Sequence, residues 1–254
     1  MKIMRGMGLV LWIAAQSFAE MTPMNAEIPE ETLTKIACEY KKPLLTKDLP
    51  FLRGREERLG ILGSYVYSLW LPKGYHEDPK RTWPVLFIVS PDSEAKLGNM
   101  EPWIRKNEYV AVIWTESASQ LASKGIGNFM AAHDDAAQRL RLKPDSKIIT
   151  GFTFCAANAS RYALLRPGFR GIILQAGAPM RNQHGVFEIQ ENREIRRLRV
   201  ATVRGFRDDH PQNSSSVYML TRTGHQVEFF PFDGGRDWAP AEIFAKAADW
   251  VIQP

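Results

Sequence analysis

The chain has 254 residues, 44% of them apolar and 24% charged, with a formal net charge of +5. These values sit in the ordinary globular range and exclude a disordered or disulfide-stapled chain. The positive charge is scattered, with no Lys/Arg block carrying interleaved aromatics, so nucleic acid is excluded as the expected partner.

Taken in chain order, the sequence opens with a basic start at Lys2 and Arg5, a short apolar run from Gly8 to Ala15, and a small-residue site at Ser17-Phe18-Ala19. That is the order of a secretory signal peptide, and the run is too short to cross a bilayer. Residues 1–19 are read as the signal, with cleavage near Ala19 and a secreted or periplasmic destination. Its removal takes two basic and no acidic residues, lowering the charge to +3. No later stretch is apolar and long enough to span a membrane. Residues 20–60 are polar and proline-punctuated and read as a leader lying against the domain. Residues 61–254 read as one domain, and no internal repeat or low-complexity stretch interrupts them.

Within the domain, Tyr65–Leu71 is β-branched and aromatic and predicts a strand, turned by Pro72-Lys73-Gly74-Tyr75. Val85–Val89 predicts a buried strand, Ser90–Gly98 a loop, Met100–Lys106 a short helix and Tyr109–Trp114 a second buried strand. Asn128–Leu142 has helical spacing, Lys147–Gly151 is a strand and Cys155–Leu165 a helix. Gly171–Gln175, Val200–Gly205 and Val227–Phe230 complete the strands, and Ala241–Ile252 is the last helix. The basic run Glu191–Arg199 reads as a solvated helix face. Continuous apolar strands alternating with amphipathic helices imply a mostly parallel sheet covered on both faces. Functional groups in such a sheet collect beyond the carboxyl ends of the strands. The residues after Val89, Gly151, Gly205 and Phe230 are therefore the first places to look.

After Gly151 comes Phe152-Thr153-Phe154-Cys155, then a helix. A sharp strand-turn-helix elbow needs small residues near its apex and exposes one side chain above the sheet. The pattern G-x-S-x-G fits as Gly151, Thr153 and Cys155, with two substitutions. Further segments extend the match. The stretch from Tyr67 to Tyr75 followed by Trp83–Val89, the segment Ile148–Thr153, the helix end Arg166–Gly171, the loop Gly205-Phe206-Arg207-Asp208 and the stretch Phe232–Glu242 together resemble the polyhydroxybutyrate-depolymerase and feruloyl-esterase group of α/β-hydrolases, over about residues 64–252.

The resemblance implies an α/β-hydrolase fold with no sizeable cap, and ester hydrolysis through a serine-type triad without a cofactor. It places Thr153 at the nucleophile position, Asp208 (Asp209 its near alternative) at the acid, and Arg236 at the general base. It gives the backbone N–H of Phe154 one oxyanion-donor position and the loop Ser90-Pro91-Asp92-Ser93 the second, around Asp92. Three of these positions are chemically unsuited. Threonine adds a methyl that stiffens χ1. Arginine stays protonated and cannot take a proton. Pro91 has no N–H, and Asp92 would oppose a developing negative charge.

Other groups compete for these roles. His210 follows Asp208-Asp209 and is the one histidine placed to reach the elbow. His76, His184 and His225 read as surface, loop and helix-end residues, and His133 as a helix surface or packing residue. Cys155 reads as a small buried thiol more readily than as a nucleophile or a partner of Cys38. Neither Asp208-Asp209-His210 nor Asp134-Asp135 has metal-ligand spacing, so no metal is expected. Trp103 and Trp238 flank loops at the active end and are the two tryptophans kept as ligand contacts. Two function classes remain: a non-catalytic relative that keeps the pocket for a small-molecule or polymer ester, and an active esterase using Thr153 with a base from elsewhere.

Overall fold

A computed structural model describes residues 27–41, 61–118, 120, 122–182, 184–191, 198–208, 218, 220–222 and 225–253. The segment read as a signal peptide, most of that read as a leader, Asp209, His210 and much of the basic run Glu191–Arg199 lie outside the described residues. The strands are β1 (Thr34–Tyr40), β2 (Gly63–Trp70), β3 (Trp83–Ser90), β4 (Val110–Thr115), β5 (Leu142–Phe152), β6 (Phe169–Gln175), β7 (Arg199–Gly205) and β8 (Gln226–Phe232). The helices are α1 (Glu101–Lys106), α2 (Ala122–Arg139), α3 (Phe154–Tyr162), α4 (Glu188–Glu191) and α5 (Ala241–Ile252), with a 3₁₀ turn at Gly98–Met100.

All eight strands form one sheet in the order β1-β2-β4-β3-β5-β6-β7-β8. The β1–β2 and β2–β4 pairs are antiparallel; every other pair is parallel. The expected sheet is thus present. Its alternation is visible in β3: Val85, Phe87 and Val89 enter the core under α2 and α3, and Leu86 and Ile88 the core under α1 and α5. A strand buried on both faces reads as a continuous apolar run because both sets of side chains need dry surroundings. Between β6 and β7 the described residues carry only the four-residue helix α4.

The segment read as a leader supplies β1, which pairs with β2 over its whole length. Its Ile36, Cys38 and Tyr40 are buried, while Thr34, Lys35, Ala37 and Glu39 are not. One mixed-polarity strand after a polar stretch carries too weak a period to stand out. The Glu30 carboxylate fixes the chain before it, accepting the Gly74 and His76 N–H groups at 2.7 Å each.

α2 begins at Ala122, six residues before the expected Asn128. Gly125 and Gly127 weaken helix propensity there by about 1 kcal/mol each. The Gly127 position shows why one is tolerated: an added Cβ would stand 1.9 Å from the Tyr65 hydroxyl.

At the amino-terminal ends of the parallel strands lies a buried polar cluster. Arg166 grips Asp134 with two hydrogen bonds of 2.8 and 2.6 Å. His133 Nδ1 lies 2.9 Å from Asp134 Oδ1, and Lys147 Nζ lies 3.1 Å from His133 Nε2. The imidazole stacks on Phe87. His133 is therefore a packing residue at the end of the sheet opposite the elbow.

Candidate functional site

β5 ends at Phe152 and α3 starts at Phe154, so one residue makes the turn. That residue, Thr153, has φ 55° and ψ −121°. A β-branched residue at positive φ is strained, by about 1–3 kcal/mol. Packing holds it there. Thr153 N–H donates to the Gln175 carbonyl at 2.9 Å, and its own carbonyl accepts the Ala156 N–H at 3.1 Å. A Cβ on Gly151 would come within 2.2 Å of the Cys155 carbonyl oxygen, so strand and helix touch where only glycine fits. This is the geometry a nucleophile elbow requires, and it puts Thr153 at the carboxyl end of the sheet. Phe154 is the first residue of α3, where a helix N–H has no acceptor in a preceding turn.

The acid-position and base-position loops meet beside it. Phe206 N–H donates to the Phe232 carbonyl and Arg207 N–H to the Gly234 carbonyl, both at 2.9 Å. Asp208 is 2% exposed. Arg236 donates to its Oδ1 through Nε and Nη2, both at 3.3 Å. Arg204 approaches Oδ2 at 4.0 Å, and its Nη2 also donates to the Asp208 carbonyl. The Arg236 loop lies against the elbow, because Trp238 stacks on Phe152 with ring centroids 4.8 Å apart and planes 20° from parallel. Thr153, Asp208 and Arg236 thus belong to one end of the sheet, with the last two joined as an ion pair.

The loop after β3 closes another side. Asp92 N–H donates to Ser90 Oγ at 3.2 Å, so the second oxyanion-donor position spends its N–H within its own loop. The Asp92 carboxylate faces the Lys96 ammonium at 3.1 Å.

Two buried residues that the sequence reading missed organise this end. Glu116 follows β4, is 4% exposed and accepts from Trp114 Nε1 at 2.8 Å, Tyr162 hydroxyl at 2.7 Å and Asn158 Nδ2 at 2.6 Å. Burial raises its pKa despite these three donors. Its own N–H donates to the Ser90 carbonyl, tying the oxyanion-position loop to the elbow helix. Gln175 donates to Thr150 Oγ1 at 3.0 Å and accepts the Ala239 N–H at 3.1 Å, joining β5 to the segment before α5. The position of Glu116 was the available signal: it is a carboxylate next after an apolar parallel strand.

The other candidates divide. Cys155 is buried, and burial, then the nearby Glu116 and Asp92 carboxylates, push its thiol pKa up. Cys38 is likewise buried and raised to about 12, and both thiols are free. Trp103 is 3% exposed, donates to Asp249 Oδ1 at 2.8 Å and packs against Phe244, so it is a core residue and not a ligand contact. Trp238 remains partly exposed at the elbow. His76 is on the surface and His184 in a loop; His225, expected at a helix end, is buried at 4% exposure. Among the described residues no group of three or more His, Cys, Asp or Glu is arranged to hold a metal ion.

No protein-family model matches the chain, and no curated protein sequence does. Solved structures do. A ferulic acid esterase from Anaeromyces mucronatus, solved in complex with ferulic acid, is 15% identical over 90% of this chain and 93% of its own, with a TM-score of 0.60. A second ferulic acid esterase is 13% identical over 87% and 98%, with a TM-score of 0.56. A carboxylesterase from Mesorhizobium loti is 19% identical over 74% and 95%, with a TM-score of 0.50. At these identities the likeness establishes the fold, which is that of the α/β-hydrolases.

Proposed function

We propose that this chain is an exported α/β-hydrolase-fold protein related to carboxylic-ester hydrolases that no longer performs acyl transfer. It keeps the elbow end as a binding site for a small-molecule or polymer ester. The observation that carries this reading is the Asp208–Arg236 pair. In a serine-type triad the acid orients an imidazole that takes the nucleophile's proton. Here a guanidinium occupies the buried carboxylate, and it has no lone pair to offer. The Thr153 hydroxyl is then a weak nucleophile without a partner base among the described residues. The surroundings add to this. The second oxyanion-donor position carries the Asp92 carboxylate and spends its N–H on Ser90 Oγ, where an oxyanion would need a free donor.

The second reading, an active esterase, rests on the strained backbone at Thr153, since a tight exposed elbow is what such an enzyme needs. Its base would have to come from outside the described residues, with His210 the candidate. Hydrolysis of a short-chain nitrophenyl ester by the mature protein and by Thr153→Ala separates the two. Equal background rates support the binding reading. Turnover that disappears in the variant overturns it. The double variant Thr153→Ser with Arg236→His is expected to gain ester hydrolysis; a folded double variant with no gain would place the deeper loss in the Ser90–Ser93 loop.

A further inference from the structure

Away from the elbow, a groove of about 460 Å³ opens on the β1–β2–β4 side of the sheet. That volume lies in the range of small-ligand sites. None of the triad-equivalent residues lines it, although Ser93, at the end of the Ser90–Ser93 loop, does.

Its floor is set by strand register. Lys35 on β1 faces Ser68 on β2, and Ser68 faces Ile113 on β4. Val66 and Thr115 lie two residues along, on the same face, because strand side chains alternate. The loop after β3 brings Glu94 and Ala95 over the far side. Six large apolar side chains are exposed among the described residues, and two of them, Leu33 and Val66, line this one concavity. They give the concavity an apolar wall.

The polar groups are placed unevenly. Ser68 is 8% exposed, yet its hydroxyl has no protein partner among the described residues and is not sealed from the groove. Neighbouring charges are already matched: Asp92 with Lys96, and Glu31 with Arg105. Lys35 and Glu94 have no ion-pair partner among the described residues. Lys35 comes from β1 and Glu94 from the loop after β3, and the β1–β2–β4 floor that both line is two strand spacings wide, about 10 Å. An extended chain advances about 3.3–3.6 Å per residue, so three residues cover that width.

We propose that this groove binds a short linear peptide of about three residues with free termini, its carboxylate at Lys35 and its ammonium at Glu94. The Ser68 hydroxyl meets the central amide, and Leu33, Val66 and Ala95 hold aliphatic side chains. A fatty acid would use Lys35 and the apolar wall but would leave Glu94 without a role.

The test is titration of the whole chain with Ala-Val-Ala by calorimetry or NMR. Saturable binding is expected, weakened about three- to fivefold by amidation of the peptide's carboxyl end. Lys35→Gln is expected to weaken the free peptide by the same factor and to be insensitive to amidation. Glu94→Gln pairs with acetylation of the amino end in the same way. Both side chains are exposed, so neither substitution threatens folding. Three results overturn the proposal: no saturable binding at millimolar peptide, equal binding of the doubly capped peptide, or tighter binding of octanoate that ignores Glu94→Gln.

Discussion

His133 sets how stability falls in mild acid, and its neighbours give the size of the effect. The ring sits between Phe87, Phe129 and Phe169, with Asp134, Lys147 and Arg166 as the charged groups around it. Asp134 accepts from Nδ1–H, which leaves Nε2 as the lone pair that accepts from Lys147 Nζ. Protonation would place a second N–H against that ammonium. Burial lowers the pKa from 6.5 to about 4, with the Asp134 hydrogen bond opposing and Lys147 assisting. The unfolded chain therefore takes up a proton near pH 6.5 that the folded chain refuses until about pH 4. Stability from this group is complete above pH 6.5 and is lost as pH falls through that window. At about 1.4 kcal/mol per pH unit, the loss is about 3 kcal/mol. For a domain of this size that lowers Tm by roughly 6–12 °C. The comparison is wild type against His133→Gln, whose carboxamide keeps a donor and an acceptor but does not titrate. Urea unfolding at pH 7 and pH 4.5 should show a smaller pH loss in the variant by most of that amount. Glu116, raised by burial, contributes with the opposite sign, but equally in both proteins. Parallel pH profiles for the two proteins would refute the reasoning.

Arg236→Met removes the bidentate cation from the buried Asp208 carboxylate, and should cost about 1–3 kcal/mol in urea melts. Asp208→Asn should cost less, because Arg236, with 46% of its side chain exposed, can turn to water; the reverse ranking would show that the pair is not what satisfies Asp208. Glu116→Gln replaces one acceptor oxygen with a donor amide that faces either Asn158 Nδ2 or both Trp114 Nε1 and the Tyr162 hydroxyl, so it should lower Tm by several degrees while Asn158→Ala lowers it less. Both thiols should resist an aromatic disulfide reagent in the folded protein at pH 8 and react on unfolding, and fast labelling of native Cys155 would contradict its burial. Thr153→Gly should leave stability unchanged or raise it by up to about 1 kcal/mol, since glycine accepts positive φ freely; a clear loss would show that the Thr153 side chain contributes more packing than strain.

Most strands were legible because burial on both faces writes itself as uninterrupted apolar runs, as in Val85–Val89 and Gly171–Gln175. The last helix was legible to the residue, since Pro240 marks its start. The misses have separate physical causes. β1 alternates against a half-exposed edge, so its period is faint. The first turns of α2 carry glycines that tertiary contact with Tyr65 explains and propensity does not. The sequence offered Thr153, Asp208 and Arg236 as candidates, and the fold brings them to one end of the sheet, but a sequence has no distances. It held no sign that Glu116 gathers three donors, or that Asp92 spends its N–H on Ser90. Trp103 failed for a related reason: being near the right loop in sequence does not decide which way an indole points.

The turn at Thr153 and the side chains around it are held by different physics. The backbone at Thr153 is fixed by the β5–β6 register, by the Thr153–Gln175 hydrogen bond and by the close contact at Gly151. None of these depends on which hydroxyl sits at the apex or which cation sits on the loop after β8. Side chains on loops change at small cost to the fold, whereas the turn itself cannot relax without moving two strands and a helix. Asp208 falls between these cases. It is buried on a loop, so it needs a positive partner whatever the protein does. An imidazole would satisfy it only when protonated or donating through one nitrogen. Arg236 satisfies it at every physiological pH, with two donors. Arg236 is thus a full structural partner for Asp208, which makes Asp208 part of the scaffold, while the half-buried Thr153 sits in a turn whose strain the fold alone maintains.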